Sequence, residues 1–380
     1  MAWNGTSIRS TLRILLRVIP IFSMEFVLEL KLPIKKAFLY VVKFIGVLRL
    51  ARIMTRGGLR ILCYHGFSKI DESQFRPETF MEPSTFQDHI GLIISKGYSV
   101  ISLPDALKLL HKRLLPPCSV VITFDDGFKT IQQYALPVLQ QYRFPCTIFL
   151  TTYYCIKENP VFRLVVQYMF WKTANQEVDL TGMGPPFFGR ISLLPNSSRD
   201  NIIWQIINYA ETELLENDRQ RLAMELGVRL GVPYENIFER EALSIMKTQD
   251  IYSIAKASEI DIQLHTHRHN FPEDRNAAIH EIEDNRAVLE PILKRRLTHF
   301  CYPSGIWSEN HFQILKESHI ESAVTCDPGL NYANTPRYAL RRFLDGQHIS
   351  NIQFEAELSG FMEIMRRLRN KLRPQPKKSV

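Results

Sequence analysis

The sequence predicts an α/β fold in which parallel strands alternate with helical crossovers. Short, β-branched apolar runs recur along the chain, and longer stretches with helical periodicity lie between them. Three of these runs end in polar, chemistry-bearing residues, as strand ends do in a parallel sheet. With 380 residues, 45% hydrophobic and 11% aromatic, the chain can pack one large domain or two small ones.

In chain order, residues 1–56 read as one or two basic amphipathic helices. Phe38, Val41, Val42, Ile45 and Leu48 share a helical face, with Lys35, Lys36, Lys43 and Arg49 between them. This face fits either packing on a domain or attachment to a membrane surface. Gly57-Gly58 interrupts, and Leu59–Tyr64 reads as the first buried strand. Ser84–Lys96 is predicted helical with Ser84 as N-cap, Tyr98–Ile101 a strand, Pro104–Lys112 a helix and Ser119–Phe124 a buried strand. Residues 129–142 follow as a helix and Cys146–Leu150 as another strand. Residues 151–245 break the rhythm and read as a helical insertion with a loop near Gly182–Pro186. Strands resume at Asp261–Leu264, Phe300–Tyr302 and Ser322–Thr325, and 353–372 is a final helix that turns basic. The expected organisation is an N-terminal segment 1–56, a domain 57–350 and a C-terminal helix and tail 351–380.

Charge is segregated. Residues 1–60 carry +9 and residues 366–380 carry +7 in a chain of net +8, so the body between is net −8. A nucleic-acid protein would carry its positive charge on the folded body, so that class is not expected. Basic, apolar-interleaved ends suit an anionic membrane surface. No apolar stretch approaches the roughly 20 residues that a spanning helix needs. Glu25 breaks the only candidate signal core, and no small-residue cleavage site follows it. The expectation is a cytoplasmic protein, peripheral on the inner membrane face. Six cysteines without a C-x-x-C pair suggest neither a zinc ribbon nor a disulfide framework.

Three clusters carry chemistry. Thr123-Phe124-Asp125-Asp126-Gly127 puts adjacent carboxylates at a strand end, where mutual repulsion calls for a nearby cation. Alone, it reads more readily as a solvated acidic turn, because Asp-Gly is common in turns. His265-Thr266-His267-Arg268-His269 follows a strand, and its H-x-x-x-H spacing puts His265 and His269 on one side of a helical turn, suited to sharing a cation. His267 would then point elsewhere. Phe300-Cys301-Tyr302-Pro303-Ser304-Gly305 ends a strand in a turn whose N–H groups could stabilise an oxyanion.

In this order, T-F-D-D-G, H-T-x-x-H and F-x-Y-P-x-G resemble the polysaccharide deacetylases (carbohydrate esterase family four, the NodB-homology fold) over roughly residues 59–150 and 245–345. The resemblance implies a deformed (β/α)7 barrel, here with a helical insertion and basic terminal helices. It also implies one divalent metal ion, expected to be zinc, held by Asp126, His265 and His269. Asp125 would be the general base, and the Ser304 N–H an oxyanion donor. Many members carry Arg beside the base in the third motif, where this chain has Cys301. In members resembling this chain a later Arg in a Leu-Pro-Arg context takes over, which points to Arg342 in Leu340-Arg341-Arg342. Many members end in a Leu-x-Leu-His strand that supplies the general acid. Here Ile61-Leu62-Cys63-Tyr64-His65 resembles that strand moved to the front, as in permuted members, making His65 the candidate acid. Its alternative is a structural hydrogen bond at a strand end.

The implied activity is hydrolytic removal of an acetyl or formyl group from an acylated sugar of a polysaccharide or glycolipid, an amide rather than an ester. Basic ends favour a lipid-linked sugar. The competing readings are an inactive glycan- or lipid-binding relative, a two-metal phosphoesterase, which would need a further ligand cluster, and a membrane-surface scaffold.

Overall fold

The computed structural model describes residues 32–185 and 187–372. Residues 1–31 of the predicted basic segment, Pro186 of the predicted loop and the tail 373–380 lie outside the described residues. The chain divides into two compact units, one of residues 59–348 and one formed by residues 1–58 and 349–380.

Residues 59–348 form a deformed (β/α)7 barrel. Its strands are β1 (Arg60–Tyr64), β2 (Ser119–Phe124), β3 (Cys146–Leu150), β4 (Ile260–Leu264), β5 (His299–Cys301), β6 (Ser322–Val324) and β7 (Phe343–Leu344). All pair in parallel, in the order β6-β5-β4-β3-β2-β1-β7, with Ser99–Val100 joining β2 as a short side branch. Leu340 bridges Val324 in parallel, and three residues later Phe343 pairs with Leu62, so segment 340–344 links the last strand to the first. β1, β2 and β3 are buried along their whole length. Strands enclosed by a barrel on one face and helices on the other read as continuous apolar runs, which is why their sequences are so distinct.

Local chemistry accounts for several differences from expectation. The helix after the first turn runs Pro83–Ser95 with Glu82, not Ser84, at its N-cap, because Pro83 is pre-set for the first helical position. The helix Leu103–His111 starts at Ser102, whose Oγ accepts from the Asp105 N–H. The expected helix 129–142 is a π-helical stretch Ile131–Ala135 followed by the α-helix Leu136–Gln141. Pro137 supplies no N–H, so a regular ladder cannot run through it. The excursion between β3 and β4 holds an antiparallel ribbon, Glu177–Asp179 with Arg190–Ser192, and the helices Phe162–Lys172, Asn196–Glu213 and Glu216–Leu230.

The other unit packs helices Leu32–Phe44, Val47–Met54, Asn351–Leu358 and Phe361–Leu372 around Leu39, Val42, Leu48, Ala51, Ile352, Ala356, Phe361, Met362 and Met365. The predicted apolar face is only half right. Val42 and Leu48 are buried, but Val41 and Ile45 are exposed and Leu39 takes their place. Of the one or two helices expected here, the stretch carrying that face is two, broken at Ile45-Gly46, so residues before and after the break do not share one 3.6-residue phase. The final helix is also two. It divides at Ser359-Gly360, where Gly360 has φ 76° and a Cβ would lie 2.2 Å from Thr55 Oγ1. Among the described residues no helix is long and apolar enough to cross a membrane.

Candidate active site

The site stands on the loops that leave the C-terminal ends of β2, β4 and β5. The backbone there is unusual. Asp126 (φ 65°), Thr266 (63°), His269 (55°) and Ser304 (56°) all occupy the left-handed region. Most other described non-glycine residues with positive φ lie just past helix ends, where such conformations cap helices. A β-branched Thr in this region is a genuine outlier, and strain of this kind gathers at functional sites. Gly127 follows Asp126 with φ 83°, and a Cβ there would lie 2.7 Å from the Leu150 side chain. The Asp125 N–H donates to the Tyr64 carbonyl at 2.9 Å, and the Thr151 N–H donates to the Asp126 carbonyl at 3.2 Å. The two carboxylates are therefore held by the backbone of β1 and β3, and the turn aims them at different partners.

Asp125 is buried against Arg342, which is fully buried. Arg342 Nη1 donates to Asp125 Oδ1 at 2.7 Å and Nη2 to Oδ2 at 2.6 Å, a bidentate pair. Its Nε donates to the Thr325 carbonyl at 2.8 Å and its Nη1 also to Thr123 Oγ1 at 3.1 Å. Burial would raise the Asp125 pKa, but the Arg342 charge and its hydrogen bonds outweigh it and hold the carboxyl well below the usual carboxylate range. Cys301 Sγ lies 3.2 Å from Arg342 Nη2 and 3.3 Å from Asp125 Oδ2. A small side chain at 301 leaves room for the guanidinium to reach Asp125 from residue 342.

Asp126 turns the other way. Its Oδ1 is 3.2 Å from His265 Nε2 and 3.2 Å from His269 Nε2. The two imidazoles meet edge to face at 5.0 Å. His265 Nδ1 sits 2.8 Å from the Cys301 carbonyl. A carbonyl can only accept, so Nδ1 carries a proton there and leaves Nε2 turned toward Asp126, the orienting contact usual for a metal-binding histidine. The histidines do not lie on a helical turn as expected. Residues 265–270 are irregular, and the left-handed Thr266 and His269 bring the rings together.

Two further groups of donor atoms converge, Cys63–His65–Asp125 and Asp125–His265–Cys301. They suit a cation poorly. Both Asp125 oxygens are engaged by Arg342, and burial pushes the Cys63 and Cys301 thiols well up, so neither is a thiolate. Asp126, His265 and His269 offer one carboxylate oxygen and two imidazole nitrogens facing one point, a donor set that fits zinc or a similar divalent ion.

The remaining candidates are placed as follows. His65 Nε2 is 4.0 Å from Asp125 Oδ2, and its buried Nδ1 has no hydrogen-bond partner among the described residues. Ser304 is exposed in the turn Pro303–Gly305, and no hydrogen bond or ion pair joins it to the other six residues. His267 is held aside, its Nδ1 2.8 Å from Thr152 Oγ1 and its carbonyl accepting from the Tyr153 N–H. Sequence reasoning missed Asn285. It is buried on the helix Arg275–Leu293, where its Oδ1 accepts from the His265 N–H and its Nδ2 donates to the Leu150 carbonyl and Thr152 Oγ1, each at 3.0 Å. It also missed Cys63, whose Sγ is 3.4 Å from Asp125 Oδ2. Neither lies in a local pattern that marks it out.

A buried, arginine-paired carboxylate thus stands beside a cluster of one carboxylate and two imidazoles at the strand ends of a (β/α)7 barrel. The polysaccharide deacetylase family model matches residues 112–179 and 236–323, so these parts of the barrel are of the polysaccharide deacetylase type. The residues it skips, 180–235, lie within the excursion between β3 and β4. Among solved structures the chain is similar to the Streptococcus pyogenes deacetylase PplD in complex with acetate, at 16% identity, 83% coverage of this chain, 99% of that chain and a TM-score of 0.50. It is also similar to IcaB from Ammonifex degensii, at 16% identity, 80% and 97% coverage and a TM-score of 0.49. A de-N-acetylase from Aggregatibacter actinomycetemcomitans matches at 12% identity, 79% and 99% coverage and a TM-score of 0.49. No curated protein matches the chain.

Proposed function

We propose that the protein hydrolyses an acetyl or formyl group from the amide nitrogen of an acylated sugar, with an ester as the lesser substrate. The observation that carries this reading is the division of labour between adjacent residues, Asp125 locked on Arg342 and Asp126 facing His265 and His269. One divalent ion, expected to be zinc, would be held by Asp126, His265 and His269, and when bound it acidifies water and polarises an acyl oxygen.

The chain's own residues then have distinct tasks. Asp125, kept ionised by Arg342, accepts the proton of the attacking water. Its low basicity would suit water acidified by such an ion. Arg342 fixes the carboxylate plane through two parallel hydrogen bonds, so the base needs no reorientation. The Ser304 N–H, on the loop after β5, is assigned as a donor to the developing oxyanion. His65, whose Nε2 lies 4.0 Å from Asp125 Oδ2, donates a proton to the departing amine. The basic chain ends support a lipid-linked sugar as the carbohydrate partner.

The test is an acetate- and formate-release assay on a panel of N-acylated and O-acylated glycolipids and soluble oligosaccharides, using protein of known metal content. Release from N-acylated sugars, abolished in Asp125→Asn, is expected. A fully metal-loaded protein that releases neither acid from any of them would overturn the reading in favour of an inactive binding relative.

A further inference from the structure

The helix Leu32–Phe44 is apolar on two faces. One face holds Leu39 and Val42 against the core of its unit. The other carries Ile34, Ala37, Val41 and Phe44 at i, i+3, i+7 and i+10, a continuous helical stripe, and all four are exposed. Phe44 is 92% exposed, Val41 59% and Ile34 54%, and Ile45 in the following turn is 56% exposed. Tyr40 widens the stripe, and Ile53 and Met54 end the next helix exposed as well. Single exposed apolar residues are ordinary, but a run of this length marks an interaction surface.

Charge identifies the partner. Residues 32–58 contain six Lys/Arg and no acidic residue. All the charges on this stretch are cationic; Lys43 pairs with Glu355, and an apolar stripe flanked by the remaining cations matches an anionic bilayer, which accepts apolar groups at the headgroup boundary and attracts the cations above it. We propose that the stripe Ile34–Val41–Phe44 with Ile45 lies in the interface of an anionic membrane and docks the protein there without spanning it. Of the face that apolar periodicity picks out first, Val42 and Leu48 are consumed by the core, while Val41 and Ile45 are left in this stripe. The inference does not rest on the chemistry of the barrel.

The experiment is co-sedimentation of the full chain with vesicles of neutral lipid and of neutral lipid mixed with an anionic lipid, at low and high salt. Phe44→Glu and Val41→Glu alter exposed positions, and helical content by circular dichroism checks that each variant folds. Binding to anionic vesicles that weakens with salt, and that falls at least about tenfold in either variant, is the expected result. Equal binding to both lipids, no binding, or anionic-lipid binding that both variants retain in full would overturn it; the last outcome would shift the attachment to residues outside the stripe. Light scattering without lipid provides a further check. A dimer that both variants dissolve would assign the stripe to a second copy of the chain instead.

Discussion

The barrel and the helical unit use apolar residues in opposite ways. In the barrel, β1, β2 and β3 are consumed by the interior along their whole length, and the exceptional residues stand at the strand ends. In the helical unit, Leu32–Phe44 has apolar residues on both faces and buries one of them. The contrast separates two meanings of an apolar run. Inside the barrel it builds a rigid frame for a few polar groups. On the short helix the surplus apolar surface is itself the feature that asks for a partner.

The sharpest test of the barrel's side of this contrast is its polar end. Purified without chelator, the protein is expected to hold about one divalent ion per chain by elemental analysis. Asp126→Ala and His269→Ala should lose it, and His267→Ala should keep it because His267 is tied to Thr152 instead. Asp125→Asn should retain metal and lose roughly 10²–10⁴-fold in turnover, the usual range for a general base. Near wild-type turnover in that variant would remove the role given to Asp125.

Next in size is the buried ion pair. Arg342→Met leaves Asp125 charged, buried and unpaired, which should cost on the order of 3–5 kcal/mol in urea unfolding. Combining it with Asp125→Asn should recover much of that loss, since the uncompensated charge is then gone. Additive losses would mean the pair is not the energetic unit its geometry describes.

In the helical unit the two faces should respond differently. Leu39→Ala should cost roughly 2–4 kcal/mol, as a buried leucine does. Val41→Ala, two residues away and exposed, should stay within about 0.5 kcal/mol. Similar losses at both positions would erase the distinction between the faces.

A further predicted effect in the barrel is a pH dependence at the opening of β5. Burial, reinforced by Arg295 and Lys108, lowers the His299 pKa to about 4. The unfolded chain binds that proton near pH 6.5 and the folded chain only near 4. Stability should therefore fall as pH drops through this window. His299→Asn should flatten the fall by about 2–3 kcal/mol, as the difference between two urea-unfolding series. Parallel pH profiles for the two proteins would contradict it.

Some of this was written in local sequence, and the reason is the range of the forces involved. Ser119–Phe124 is a strand because six successive residues must all be buried, and burial of that kind shows in composition. The three clusters at the strand ends were legible because each is contiguous and follows such a run. Other features depend on residues far apart in the chain. Arg342 and Asp125 are 217 positions apart and meet because segment 340–344 closes the barrel onto β1. Asn285 holds the His265 backbone from a helix whose periodicity says nothing about it. The convergence of His265 and His269 comes from two left-handed residues in an irregular loop, not from the helical turn their spacing implied. Which face of Leu32–Phe44 is buried was settled by its neighbours Ile352, Ala356 and Phe361. Sequence alone determined which segments are strands, where the reacting groups cluster and that the ends are basic, because these follow from nearest neighbours and composition. Tertiary structure decided which groups meet and which apolar face is left over, because closure and packing join residues that local pattern cannot connect.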